Sequence, residues 1–213
     1  MATIEAIIWD MDGVLVDSGE AHFLAWRALL AERGRSITRE QFEETFGMAN
    51  PAILRRWLGE ETPEALLAEL GARKEELFRQ KVRGHVRLLP GVREWLERGR
   101  RRGYRQAVAS SGEMANIVAL VAELGIGNYF DALISGAFLP RSKPDPSIFL
   151  QAAAALGATP ATSLVIEDGI VGVEAAKRAG MRCVAVTTTH PAEKLAQADV
   201  VVATLAELAE YPF

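Results

Sequence analysis

Short runs of apolar, largely β-branched residues recur along the chain at Ile4 to Trp9, Tyr104 to Ala109, Ala132 to Ile134, Ser163 to Ile166 and Arg182 to Val186, with a weaker run at Val200 to Val202. Because consecutive rather than alternate positions are apolar, these runs read as strands buried on both faces, as in a parallel sheet. From the second run onward they are separated by helical patterns of about 10 to 15 residues, the alternation of βαβ units. Between the first and second runs the alternation stops, and about 90 residues read as helix only. Start signals punctuate that stretch: Asp17 with Glu20 and Thr38 with Gln41 fit capping boxes, and Asn50-Pro51 and Thr62-Pro63 set a capping side chain before a proline. Gly34, Gly59 and Gly84 supply stops. The expectation is an α/β fold, a Rossmann-like parallel sheet core over 1–16 and 86–213, with an all-helical domain inserted over 17–85.

Composition narrows the partners. With 24 Lys+Arg against 28 Asp+Glu, the 213 residues carry a formal charge of −4, and 49% of them are hydrophobic. That content fills a core and argues against disorder, while the charge lacks the concentrated positive field that gripping nucleic acid requires. Arg98, Arg100, Arg101, Arg102 and Arg105 form a cationic stretch at a helix end, read as a solvated face because no aromatic stacking pattern accompanies it. No run approaches the ~20 apolar residues that span a bilayer. A single cysteine, Cys183, excludes an intramolecular disulfide, and the first ten residues meet acids where a signal peptide would be basic and then apolar. A cytoplasmic monomer without membrane or nucleic-acid partners is expected.

The chemistry concentrates where the strands end. Asp10-Met11-Asp12-Gly13 places two carboxylates just beyond a buried strand, and two such anions require a cation or protonation to coexist. A hard metal with oxygen ligands, Mg²⁺, suits them; an EF-hand does not, because its glycine stands at loop position six. Val165-Ile166-Glu167-Asp168-Gly169 repeats the arrangement. If the two strands are parallel neighbours, Asp10, Asp12, Glu167 and Asp168 surround one cation in the crevice beyond the sheet. Lys143, ahead of Pro144, is a point charge suited to a phosphate oxygen, and could also hold a nearby aspartate ionised. Ser110-Ser111-Gly112 follows another strand, where hydroxyls and helix N–H groups cradle an anion; a serine there is equally an N-cap.

These four pieces, in this order, resemble the motifs of the haloacid dehalogenase superfamily over essentially the whole chain: Asp10 to Ser18, Ser110, Lys143 and Glu167-Asp168. The resemblance implies a haloacid-dehalogenase-like core, with the helical insertion serving as the cap of the branch that contains β-phosphoglucomutases and sugar-phosphate phosphatases. It implies Asp10 as the nucleophile that takes the phosphoryl group and Asp12 as general acid and base. It implies Mg²⁺ held by Asp10, Asp12 through its backbone carbonyl, and Asp168, with Glu167 as ligand or support, while Lys143 and Ser110 offset phosphoryl charge. Dehalogenases of the superfamily have no equivalent of Asp12, which argues against carbon–halogen chemistry.

The cap separates a phosphatase from a phosphomutase, which needs a second anion site. In β-phosphoglucomutases a glycine of the cap loop is followed shortly by an arginine that grips the distal phosphate; here Phe46-Gly47-Met48-Ala49-Asn50 puts Asn50 at that position, with Gly47 and Asn50 meeting substrate. Asparagine brings no charge, although Arg55 and Arg56 lie one turn further on. His22 and Trp26 share a helix face, so His22 either faces the active site or makes an interface contact. Lys74 is either a cap cation for substrate or a solvated lysine paired with neighbouring glutamates. The function expected is an Mg²⁺-dependent phosphatase of small phosphorylated metabolites, sugar or polyol phosphates, acting through an aspartyl-phosphate. A β-phosphoglucomutase-like phosphomutase is the alternative, and a non-catalytic binding or regulatory module comes third.

Overall fold

The computed structural model describes residues 3–45, 48–137 and 139–208. The chain forms two compact units, one of residues 1–17 and 87–213 and the other of residues 18–86.

The larger unit is a parallel α/β sheet. In chain order its elements are β1 (Ala6–Trp9), β2 (Val16–Asp17), β3 (Arg87–Leu88), β4 (Arg105–Ser110), β5 (Ala132–Ser135), β6 (Ser163–Glu167), β7 (Arg182–Val186) and β8 (Val200–Val202). Six of these strands pair in the order β5-β4-β1-β6-β7-β8, every pair parallel. All six coincide with the apolar runs of the sequence, two with identical ends and four with one or both ends moved by one or two residues. The two-residue strands β2 and β3, too short to leave a pattern, pair antiparallel through Val16 with Leu88 and Asp17 with Arg87.

Side chains alternate across the sheet as the pleat dictates. Ala6, Ile8, Ala107, Ala109, Val165 and Cys183 share one buried cluster with Phe149 of a helix at Ser147–Ala155 and Val173 of a helix at Ile170–Arg178. Trp9, one position on, packs edge-to-face on Trp95 of the helix Val92–Arg101, ring centroids 6.3 Å apart. Its indole N–H donates to Gln106 Oε1 at 3.1 Å, which satisfies a polar group buried at the sheet centre. Arg100, Arg101 and Arg102 are exposed, as a solvated face requires, whereas Arg98 is half-buried and donates to the Leu208 carbonyl (3.1 Å); Arg100 donates to that of Asn128 (2.7 Å).

The smaller unit is helical: Gly19–Ala31, Arg39–Glu43, Asn50–Leu58 and Glu64–Val82. Its core sets Phe23, Trp26, Leu29 and Leu30 of the first helix with Leu67, Leu70, Leu77 and Phe78 of the last. Of the four expected start signals, the Thr38–Gln41 capping box is present, with both reciprocal bonds. The other three helices start differently: Asp17 lies in β2 and Ser18 precedes the first helix, Asn50 is already helical, and Thr62 Oγ1 donates to the Gly59 carbonyl (2.6 Å). Among the described residues no helix is long and apolar enough to cross a membrane.

Replacing Thr38 with Ala removes a cap that has no substitute and should cost about 1 kcal/mol. Urea unfolding reads this directly, and an unchanged midpoint would show that the box contributes nothing.

Candidate active site

The site is built by adjacency in the sheet. β1 lies between β4 and β6, with Trp9 opposite both Val108 and Ile166. The next residue, Asp10, donates its backbone N–H to the Ile166 carbonyl at 3.0 Å, so its side chain leaves the sheet beside Glu167. Ser110 ends β4 on the same carboxyl edge, the edge at which open α/β sheets bind ligands. Beyond Asp10 the chain folds into a tight turn: Leu15 and Val16 donate to the Met11 carbonyl (2.9 and 3.1 Å), and Gly13 donates to that of Val16 (2.9 Å). Asp12, half-buried, is held in this turn two residues past Asp10.

Lys143 joins the two strand ends. Its ammonium donates to Asp10 Oδ1 and to Glu167 Oε1 (2.7 Å), with all three side chains largely withdrawn from solvent. The other Glu167 oxygen accepts the backbone N–H groups of Asp168 and Gly169, both at 2.8 Å. A Cβ at Gly172 would collide with the Glu167 carboxylate, so the following helix can approach it only without a side chain there. Asp168, 6% exposed, accepts from the Thr189 hydroxyl. Gly13 passes so close to Asp168 that a Cβ would overlap it, and its φ of 77° is itself unfavourable for other residues.

The electrostatics follow from burial of acids that outnumber the one lysine paired with them. Burial, reinforced by Glu167 and Asp168 and opposed by Lys143, raises the Asp10 carboxyl well above its usual range. Burial, then the Glu167 charge, pushes Asp168 up to about 7, with Asp12 adding to the rise and Thr189 and Lys143 opposing it. Burial alone would discharge Lys143, but Asp10 and Glu167 overcome it and hold the ammonium above the ordinary lysine range. The cluster is therefore short of positive charge, and a divalent cation is the chemistry that would let both Asp10 and Asp168 ionise.

Of the acids expected to hold a metal, Glu167 has both oxygens engaged, one by Lys143, which lies between it and Asp10, and the other by two backbone N–H groups. Neither serine is an N-cap, because the next helix, Met114–Glu123, has Glu113 in that place. Ser110 is buried and its hydroxyl accepts the Gly112 N–H (3.1 Å), while Ser111 is exposed.

In the helical unit Lys74 is not solvated. It is 3% exposed, and its ammonium donates to Glu75 Oε1 (2.8 Å) and to His22 Nδ1 (2.9 Å). Asn50 Nδ2 donates to the same Glu75 oxygen at 2.7 Å. His22 stacks on Phe78 at 4.0 Å, whereas Trp26 meets Trp57 edge-on at 5.2 Å. Gly47 lies outside the described residues. One residue escaped the sequence reading. Thr189 stands in a threonine run directly after β7, a placement at the active edge that could have flagged it. Glu75 is legible as a neighbour of Lys74, but its bond to Asn50, 25 residues away, leaves no local signature.

A family model described as haloacid dehalogenase-like hydrolase matches residues 4–180, and the chain belongs to this family. It is 33% identical to the β-phosphoglucomutase of Bacillus subtilis (strain 168) over 217 residues, covering 96% of this chain and 92% of the relative. It is 34% identical to the fructose-1-phosphate phosphatase YqaB of Escherichia coli (strain K12) over 186 residues, covering 84% and 94%. A crystal structure of a CbbY variant from Rhodobacter sphaeroides in complex with xylulose-(1,5)bisphosphate superposes with a TM-score of 0.84 at 28% identity, covering 97% of this chain and 96% of that one.

Two outcomes are expected. Lys143→Met leaves buried carboxylates without their counter-charge and should cost about 3–5 kcal/mol in denaturant unfolding without metal; a loss below 1 kcal/mol would show that the bridge is not structural. In EDTA, folded Asp168 keeps its proton to about pH 7, whereas the unfolded group releases it near its usual value of ~3.9. The native state therefore binds more protons between these limits, and stability falls as pH rises through them. Asp168→Asn should flatten that slope, and an unaltered slope would assign it to other groups.

Proposed function

We propose that the protein is an Mg²⁺-dependent phosphatase of small phosphorylated metabolites, sugar or polyol phosphates, that works through an aspartyl-phosphate on Asp10. It is a phosphoric monoester hydrolase, and the observation that carries the rest is the Lys143 ammonium between Asp10 and Glu167 at the ends of adjacent strands, with buried Asp168 beside them.

The donor set fits Mg²⁺. This ion keeps several waters and needs only one or two carboxylates, which Asp10 and Asp168 provide, with the main-chain carbonyl of Asp12 as a third oxygen. When bound, Mg²⁺ supplies charge that offsets the phosphoryl oxygens. Glu167 holds Lys143 in position, since both its oxygens are engaged.

The residues then divide the work. Lys143 and Ser110 orient the phosphoryl group. An Asp10 oxygen forms a bond to phosphorus as the ester P–O bond breaks, and the Asp12 carboxyl gives its proton to the departing alcohol oxygen. Asp12, now a carboxylate, takes a proton from water as the water oxygen attacks the phosphorus of the aspartyl-phosphate, releasing phosphate and restoring Asp10. Much of the acceleration is positioning and electrostatics. The helical unit acts as the cap that selects substrate, through His22, Gly47, Asn50 and Lys74. Its placement in the cytoplasm, as a monomer, completes the reading.

The likeness to β-phosphoglucomutase favours a second reading, phosphoryl transfer between two positions of one sugar. A mutase needs a cationic grip on a second phosphate. In the helical unit the cations nearest to that role each have a carboxylate: Arg55 pairs with Glu64, Arg56 with Glu44 at 2.6 Å, and Lys74 with Glu75. The phosphatase reading is the stronger for it.

Phosphate release should be Mg²⁺-dependent and confined to a narrow set within a panel of sugar, polyol and glycolytic phosphates that includes β-glucose 1-phosphate. Asp10→Asn should lower it at least about a thousandfold while the fold persists. A purified Asp10→Asn protein that keeps its activity would reject the nucleophile, and conversion of β-glucose 1-phosphate with a bisphosphate primer, without release, would establish the mutase.

A further inference from the structure

Glu75 belongs to no motif and lies in the helical unit, yet it is the centre of that unit's buried polar cluster. One oxygen, Oε1, accepts from both Asn50 Nδ2 (2.7 Å) and Lys74 Nζ (2.8 Å). The two ionised side chains are almost fully withdrawn from water, at 3% and 10% exposure. The Lys74 ammonium also lies 5.4 Å from the Trp26 ring and 5.3 Å from that of Phe78, so little solvent screens the pair. In this setting the carboxylate cancels the lysine charge at contact distance. Asn50, which is neutral, is aimed at the same carboxylate and adds no charge.

We propose that Glu75 is a specificity-determining residue: by neutralising Lys74 and engaging Asn50 it sets the protein for monophosphate esters whose remaining groups are uncharged hydroxyls, and against bisphosphates. This rests on the phosphatase reading and on Asn50 and Lys74 being substrate-facing. A second phosphate dianion brought to the cluster meets a carboxylate as close as it meets the ammonium. Such a repulsive element rejects the wrong ligand more sharply than lost attraction does. A hydroxyl, in contrast, is a neutral donor and acceptor that the paired carboxylate and ammonium accommodate.

The test is the ratio of kcat/KM for fructose 1,6-bisphosphate to that for fructose 1-phosphate, and for a matched glucose pair, in the wild type, Glu75→Gln and Glu75→Asp. Glu75→Gln keeps an acceptor for Asn50 and Lys74 and removes only the charge. Its ratio should rise at least tenfold, through a lower KM for the bisphosphate. Glu75→Asp keeps the negative charge, and its ratio should stay within threefold of the wild type. If Glu75→Gln is too unstable to purify, Glu75→Ala takes its place: a tenfold rise supports the proposal, and an unmoved ratio overturns it. A Glu75→Gln ratio that does not move, or a parallel loss on both substrates, identifies Glu75 as merely structural and overturns the proposal while leaving the phosphatase reading intact. Absence of phosphate release from any ester by the wild type with Mg²⁺ overturns both.

Discussion

A single ammonium group organises the larger unit's chemistry. Lys143 is buried between Asp10 and Glu167, and each of these acids ends a different strand at the centre of the sheet. Without that cation the two strand ends would present facing anions in a place that water does not reach. With it they can be neighbours, and the parallel pairing of β1 and β6 brings Asp168 and the Asp10–Gly13 turn to the same edge. The bare backbones of Gly13 and Gly172 belong to the same constraint, since the acids occupy the space that a Cβ would need.

Both units contain a buried lysine held by carboxylates, and the difference in their charge balance separates their roles. In the sheet unit Lys143 pairs with Asp10 and Glu167 beside Asp168, and burial, reinforced by the neighbouring carboxylates, raises Asp10 and brings Asp168 up to about 7. That cluster suits a divalent cation and, with it, a phosphoryl group. In the helical unit Lys74 has the Glu75 carboxylate at contact distance, one acid to one lysine.

How much of this could be read from sequence depends on the range of the interaction. The six parallel strands were legible because burial on both faces makes each an unbroken apolar run, and the acids at their ends stood out as charges where a core strand stops. The superfamily resemblance, and with it the family, was legible for the same reason. Helix starts were less so. Asn50 has the composition of a cap, but its amide finds Glu75, and the helix begins around it instead. Lys74, followed by two glutamates in sequence, reads as solvated, yet Trp26 and Phe78 from two different helices of the unit cover it. Spacing groups Glu167 with the metal-binding acids as ligand or support, and it cannot show that Lys143 and two backbone amides take up its oxygens. Thr189 reaches Asp168 across 21 residues, and no local pattern announces that.

The account makes Asp10 a covalent participant, and rapid-quench trapping with a ³²P-labelled monophosphate in Mg²⁺ addresses this most directly. The predicted result is a transient label, stable to acid and released by hydroxylamine, on the peptide that contains Asp10. A label on another residue, or turnover with no labelled protein at any time during a resolved pre-steady-state phase, would contradict it.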